Sequence, residues 1–375
     1  MKILIIDTYY EFFLREFYSK RRGELEGLNY SVHRDRLMKH RFSSSDAMSY
    51  FFRKEGWEAE EVVFNDNELQ AKWARENGVA AFRLPGIVAK GVNFLFGVDW
   101  RFGVLKEQVR RLKPDIIYIK EQSLLTDAMV GELKDMTRLI AMQVGSRLLK
   151  RRTYQHIDLV FTSFPHFVSM FEKRGLRASY LRICFDSRVA QEIKRQPLLH
   201  EVTFVGGITF GQHRTRNEIL ETASREFPLK WYGYSTSPWH QSGTLKKNWC
   251  GPVWGLDMYQ ALADSLVTIN SHGEIAGKYA NNVRLYEATG VGTCLLTDWK
   301  ENIPDLFEPE TEIVTYRSVP EFREKLGYLL AHPAECKKIG RAAQIRTLKE
   351  HTYAHRVREL IAVFKRHTKE TRLHV

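Results

Sequence analysis

The chain has little cysteine: four residues in 375, Cys184, Cys250, Cys294 and Cys336, all far apart. That excludes a disulfide scaffold, and no pair has metal-ligand spacing, so they read as reduced cytosolic thiols. No apolar run approaches the roughly 20 residues that span a bilayer. The opening MKILIID reads as a short strand ending in an acid, without the apolar core and small-residue cleavage site of a signal peptide. There is no GxGxxG fingerprint, so NAD is not indicated. Low-complexity tracts and internal repeats are missing, as is an Asp/His cluster of metal-binding type. His351 and His355, four apart in a helical pattern, come nearest to a ligand pair. The expectation is no metal and no cofactor.

What is present is positive charge and β-α alternation. The net charge is +12, and residues 1–184 hold 31 Lys and Arg against 23 Asp and Glu. Such a half favours an anionic partner: acidic lipid headgroups, a phosphorylated acceptor or nucleic acid. The plainer alternative is a solvated basic surface. A hydrophobic content of 43% is ample for packed cores, and the length suits two domains.

Strand patterns recur at Lys2–Ile6, Glu60–Asn65, Asp115–Ile119, Leu139–Gln143, Leu159–Thr162 and Ala178–Leu181, with helical patterns between them. A polar-aromatic insert runs to about Ser45. A helix is predicted over Asp46–Glu55, with Ser45 or Asp46 as its cap. A polar linker, FDSRVAQEIKRQP, then leads into a second series: Val202–Val205, Leu229–Tyr232, Leu266–Asn270, Thr293–Leu296 and Ile313–Thr315, followed by a helical tail from Pro320. This alternation predicts an α/β protein of two Rossmann-like domains joined near residue 190. In open parallel sheets ligands bind beyond the carboxyl ends of the strands, so a facing pair would make a central cleft.

Two stretches carry chemistry. In TFVGGITFGQHRTRNEIL, Gly206 and Gly207 follow a strand and precede a helix. Glycines admit a phosphate close to the backbone, and a helix N-terminus offers free N–H groups. His213, Arg214 and Arg216 sit near that helix start, where cations oppose the dipole by a few tenths to ~1 kcal/mol each. An anion between them and the helix would explain the placement; solvated arginines beside a tight turn are the alternative. The second stretch is LVTINSHGEIAGKYANNVRLYEATGVGTCLLTD, from Leu266 to Asp298. Asn281 or Asn282 can cap a helix at Val283–Ala288, with Gly290 as its stop. Arg284 and Glu287 share a face three residues apart. A carboxylate can accept both hydroxyls of a ribose, and an arginine can hold a phosphate bidentately. Asn270, His272, Gly273 and Glu274 converge at the end of the preceding strand. The alternative is a surface ion pair worth only ~0.3–0.5 kcal/mol.

With WYGY, GPVWGLDMYQALADSLVTINSHGE, ENIPDLFEPETEIVTYRSVPEF and HTYAHRVREL, these stretches resemble the nucleotide-sugar-binding domain of group 1 GT-B glycosyltransferases. The resemblance is greatest to the branch holding spore-maturation-type and uncharacterised bacterial enzymes. It covers residues 201–362 in consistent order. FSSSDAMSYFFRKEGWEAEEVVFND, LKPDIIYIKEQ and IDLVFTSFPHFVSMFEKRGLRASYL are similar to such enzymes in the first half. The resemblance implies an acceptor-side domain over 1–185, a donor domain over 186–350, and a helix at 351–375 packing back across the cleft. It implies a hexosyl- or related transferase, retaining and metal-independent. Glu287 would bind the donor ribose. Arg284 and Asn282 would lie near the diphosphate or sugar, His272 and Gly273 would border the sugar, and Gly206, Gly207 and Arg216 would line the phosphates. One departure stands out: Tyr279 occupies the place of a second glutamate eight residues before the ribose glutamate. It bears on both the sugar contact and the retaining outcome. Tyr232–Tyr234 is the region to consider for the nucleobase.

On the acceptor side, Asp7 ends the first strand, and a carboxylate there could serve as general base. Glu121 and Gln122 end the third strand and compete for that role, and His166 opens a helix. The segment 79–105 is apolar, aromatic and dotted with Arg83, Lys90 and Arg101, which suits a buried layer or a surface lying on a membrane. Basic clusters at Lys20–Arg22, Arg34–Arg41 and Lys150–Arg152 would add attraction to anionic lipid. The expected partners are a nucleotide sugar and a glycan or lipid-linked acceptor, at the cytoplasmic side of a membrane. Two other functions compete: a nucleotide-sugar epimerase, and a basic nucleic-acid binder with a vestigial donor site. Interleaved acids (Glu24, Glu26, Asp35, Glu58, Glu60, Glu61) argue against a continuous nucleic-acid track.

Overall fold

The computed structural model describes residues 1–80, 99–194, 196–208, 214–235 and 243–373. Most of the apolar segment 79–105 falls outside them. The chain divides into two compact units, one of Met1–Leu181 with Val357–Val375, the other of Arg182–Arg356. Among the described residues no helix is long and apolar enough to cross a membrane.

The first unit is built on six parallel strands: β1 (Lys2–Asp7), β2 (Glu58–Val63), β3 (Ile116–Ile119), β4 (Leu139–Val144), β5 (Leu159–Thr162) and β6 (Ala178–Tyr180). Their order is β2-β1-β3-β4-β5-β6. Parallel strands covered on both faces read as unbroken apolar runs, and IIYI of β3 is fully buried for that reason. Phe364, on the helix Tyr353–Leu373, closes this core against Phe52, Trp57, Tyr118 and Phe161. The second unit has five parallel strands, β7 (His200–Val205), β8 (Leu229–Tyr232), β9 (Ser265–Asn270), β10 (Cys294–Asp298) and β11 (Val314–Tyr316), in the order β11-β10-β9-β7-β8.

Several local expectations need correcting. The insert before Ser45 contains two helices, Glu11–Leu25 and Tyr30–Met38. Asp46 does not cap its helix through its side chain; it pairs with Arg41 at 2.8 Å. The helix after Asn282 runs through Gly290 to Val291, and Gly292, at φ +88°, is its left-handed stop. Gly290 has another cause: a Cβ there would lie 2.5 Å from the Phe185 ring. The helical tail breaks at His351–Thr352, where Phe185 N–H donates to the His351 carbonyl and Tyr353 N–H donates to that of Phe185. Phe185 and Val189, in the stretch that reads as a polar linker, are buried in the second unit's core.

Candidate functional site

The register of the second sheet sets one edge. Phe204 lies beside Ile269 and Thr297 beside Asn270, so the chain leaves β7, β9 and β10 at adjacent points. Gly206–Gly207, Asn270–Gly273 and Asp298 therefore gather at the carboxyl ends, where such sheets take ligands.

At β7 the glycine turn is close-packed. Gly206 N–H donates to the Tyr232 carbonyl at 2.9 Å, and the Gly206 carbonyl accepts from Trp231 Nε1 at 3.0 Å. The Gly206 N–H is thus already used by the neighbouring strand. A Cβ on Gly207 would come 3.1 Å from the Tyr234 ring, and one on Gly233 only 2.1 Å from the Gly206 carbonyl oxygen. Tyr234 stacks on Trp254, with ring centroids 6.1 Å apart. Arg216, on the helix Arg214–Glu226, lies over the Phe204 ring at 5.8 Å, and its Nε and Nη2 are buried without a hydrogen-bond partner. Burial lowers its pKa to about 10, against a small opposing effect of Tyr234. His213 and the Arg214 side chain lie outside the described residues. Tyr232 is held by His200 at 2.9 Å, and burial raises its hydroxyl to about 12.

At β9 two amides build the loop. Asn282 Oδ1 caps the helix Val283–Val291 by accepting from Leu285 N–H and also accepts from Asn270 Nδ2. Its own Nδ2 donates to Asn270 Oδ1 and to the Ser271 carbonyl. An amide side chain has two donor hydrogens and two acceptor lone pairs, so Asn282 is saturated. Asn270 Nδ2 is likewise divided between Asn282 and Thr297. The Asn282 amide shapes the loop. Gly273 precedes the short turn Glu274–Ala276, where Glu274 is exposed. Tyr279 is half-buried beside Lys278, and Lys278 pairs with Glu301 at 2.9 Å.

Arg284 and Glu287 face each other as predicted, Nη1 to Oε2 at 2.8 Å, but mostly buried, with side chains 14% and 12% exposed. The ion pair is close, yet Oε2 has no aligned hydrogen bond. One of the two Arg284 Nη1 hydrogens is directed at Met258 Sδ, at 3.3 Å. The attraction is therefore Coulombic, and Oε2 keeps its lone pairs. Tyr259 O–H donates to Glu287 Oε1 at 3.4 Å, and burial followed by the Glu287 charge pushes that phenol well above its ordinary value. His272, with a fully buried side chain, gives Asp298 Oδ1 two bonds, from its backbone N–H at 2.8 Å and from Nδ1 at 2.7 Å. Asp298, Tyr259 and Trp254 are the residues sequence reasoning missed. Asp298 ends the quoted stretch, but only the β9–β10 register joins it to His272.

In the first unit Asp7 is buried and engaged at both oxygens. Oδ1 accepts from Thr8 N–H at 2.8 Å; Oδ2 accepts from Ser44 Oγ at 3.0 Å and pairs with Lys120 at 3.1 Å. Arg41, Ser43 and Ser45 all adopt positive φ in the turn that brings Ser44 there. Glu61 lies in the same buried set, and burial, aided by Asp46 and Asp7 against Lys120, raises its carboxyl to about 8. Glu121 accepts from Ser123 N–H in a local turn, at 3.1 Å. His166 opens the helix Pro165–Glu172 against Phe164 and Phe167. Basic residues of the expected lipid clusters are partly matched by acids: Arg34 by Glu60, Arg41 by Asp46, Lys20 by Glu16. His351 Nε2 donates to the Leu306 carbonyl and His355 Nδ1 bonds to Thr352 Oγ1, so the two do not converge as metal ligands.

Residues 214–362 match a family model described as glycosyl transferase-like. Among curated proteins none matches the chain. Three solved structures share the fold along the whole length. Sucrose-phosphate synthase from Thermosynechococcus elongatus is 9% identical, covering 98% of this chain and 99% of its own, with a TM-score of 0.57. HepE of Anabaena, in complex with UDP-glucose, is 12% identical over 97% and 99%, with a TM-score of 0.58. A glycosyltransferase from Rickettsia africae is 10% identical over 97% of each chain, with a TM-score of 0.56. The chain has the GT-B fold, and its residues 214–362 are similar to the glycosyl transferase-like family.

Proposed function

We propose that this protein moves a sugar from a nucleotide-diphosphate sugar to a glycan or lipid-linked acceptor, without a metal, in polysaccharide biosynthesis. The observation that carries the reading is where unsatisfied polarity collects. Arg216, His272, Arg284 and Glu287, all singled out by sequence, each hold a buried polar atom without a hydrogen-bond partner at or beside one sheet edge. Native folds leave few such atoms, and a cluster of them marks groups that a ligand satisfies. Glu287 Oε2 accepts from the donor ribose. Arg216 and Arg284 offset the charge of the departing diphosphate, helped by the N-terminus of the helix Val283–Val291. The Tyr234–Trp254 stack beside Gly207 offers a face to the nucleobase. HepE was crystallised with UDP-glucose, which supports a uridine nucleotide as the first to try.

We read the chain as one of the spore-maturation-type branch, working at the cytoplasmic side of a membrane; the motif resemblance supports the first part of that reading. That resemblance brings a retaining outcome with it, and Tyr279 in place of the second glutamate makes the anomeric configuration of the product worth measuring first. A thermal-shift panel of UDP, GDP, dTDP, CDP and ADP tests donor binding. A ligand at about 100 times its dissociation constant stabilises by about 2.7 kcal/mol. No shift with any of the five removes the reading. Sugar isomerisation without an acceptor would favour the epimerase instead, and a salt-sensitive gel shift would favour the nucleic-acid binder.

A further inference from the structure

The pairing of His272 with Asp298 has a chemical consequence of its own. Asp298 Oδ1 accepts from His272 N–H and from Nδ1, and weakly from Thr297 Oγ1 at 3.4 Å; Oδ2 faces Lys300 Nζ at 3.4 Å. Burial alone would raise this carboxyl, but the His272 hydrogen bonds and Lys300 outweigh burial and hold it below its ordinary value. An ionised carboxylate only accepts, so the Nδ1 position must carry a proton. In the neutral ring Nε2 then has a bare lone pair, and Nε2 is buried without a partner. A buried acceptor of this kind calls for a donor hydrogen, and the hydroxyls of a sugar supply one.

We propose that Asp298 is a positioning residue that fixes His272 with its proton on Nδ1, so that Nε2 accepts a hydrogen bond from one hydroxyl of the bound donor sugar. This rests on the donor reading above and adds a selection rule to it: a sugar lacking that hydroxyl leaves the acceptor unmatched.

Two measurements test it. The first needs no ligand. Long-range 1H–15N correlation on protein labelled with 15N-histidine, assigned with His272→Ala, reads the tautomer at pH 8, where an ordinary imidazole is neutral. The wild type should show the Nδ1–H form, Asp298→Asn should keep it through its amide oxygen, and Asp298→Leu should lose it. An Nε2–H ring in the wild type overturns the proposal, whatever the protein binds. The second compares UDP-glucose with its 2-, 3-, 4- and 6-deoxy analogues by calorimetry. One analogue should bind the wild type about tenfold more weakly or worse, as expected for a buried acceptor left unmatched. Asp298→Leu should shrink that ratio to about threefold or less while UDP itself binds both proteins alike. Equal binding of all five sugars overturns the hydroxyl assignment. A wild type that binds neither UDP nor UDP-glucose overturns the donor reading and the assignment with it, and the tautomer result then stands separately.

Discussion

Replacing Glu287 by alanine looks, from sequence, like a clean way to delete a ribose contact. The structure shows that it would also strand a buried cation. Arg284 Nη1 lies 2.8 Å from the carboxylate, and both side chains are largely buried. Without Glu287 the guanidinium retains, among the described residues, the Met258 thioether as its hydrogen-bond contact. Removing one partner of a buried pair costs about 3–5 kcal/mol. For a unit of 150–250 residues each kcal/mol moves the melting temperature by about 2–4 °C, so Glu287→Ala should melt roughly 6–20 °C lower. Glu287→Gln keeps the volume and an acceptor for Tyr259, and should cost about 1–2 kcal/mol. It is the informative variant for binding. A hydrogen bond to a charged acceptor contributes about 1.5–3 kcal/mol, so loss of the charge should weaken UDP by roughly 10- to 100-fold in calorimetry. Replacing both residues with methionine should recover most of the melting temperature while binding stays lost. A Gln variant that binds UDP within about twofold of the wild type refutes the ribose role. An Ala variant that melts like the wild type refutes the buried-pair argument, even if binding falls.

Other perturbations follow from the same geometry. Gly233→Ala places a Cβ 2.1 Å from the Gly206 carbonyl oxygen, a backbone atom with nowhere to move; it should lower the melting temperature and abolish the UDP-induced shift, and a normal shift would sink the close-packed turn. Glu61, raised to about 8 in the fold and near 4.5 when unfolded, is protonated in the native state at neutral pH. The stability this group lends is complete below the unfolded value and drains away as pH rises to 8, at up to ~1.4 kcal/mol per pH unit. The melting advantage of Glu61→Gln over the wild type should therefore grow between pH 5 and 8 and level off above; a pH-independent difference contradicts it. His351, lowered to about 4 chiefly by burial, works in the opposite sense. Its contribution is present above pH 6.5 and is lost as pH falls towards 4, so the deficit of His351→Asn should shrink over that interval.

Strands β1, β3, β4, β5 and β9 were the most legible part of the fold because each is buried along nearly its whole length and reads as a bounded apolar run. The helices Glu11–Leu25 and Tyr30–Met38 were not. Their buried residues, Phe13, Leu14, Phe17 and Leu37, sit among many charges, and their packing is settled by a distant ring, Phe42, stacked on Phe13 at 4.0 Å. The break at His351 and the glycine at 290 share one cause, Phe185, far away in sequence. At the candidate site the local i,i+3 pair of Arg284 and Glu287 could be read directly, as could the cap at Asn282. That the cap exhausts Asn282, that Gly206 N–H is taken by Tyr232, and that Asp298 holds His272 all depend on which strands lie side by side. Local spacing carries no such information.

The charges at this edge also decide which kind of ligand it suits. Glu287 faces Arg284, and Asp298 faces Lys300 while accepting from His272. These buried acids are each opposed by a cation. Arg216 is not matched in this way: it lies against an aromatic ring, with two nitrogens lacking hydrogen-bond partners, and burial has already lowered its pKa. A guanidinium so placed costs free energy in the unliganded protein, because ring contact returns less than water or a carboxylate would. A neutral sugar cannot recover that cost. A diphosphate can, and it can do so increasingly as the glycosidic bond to the leaving group breaks and negative charge builds on the bridging oxygen. Interactions that strengthen along the reaction are the ones that raise its rate. The same unmatched arginine therefore argues for an anionic donor and against a site that merely holds carbohydrate.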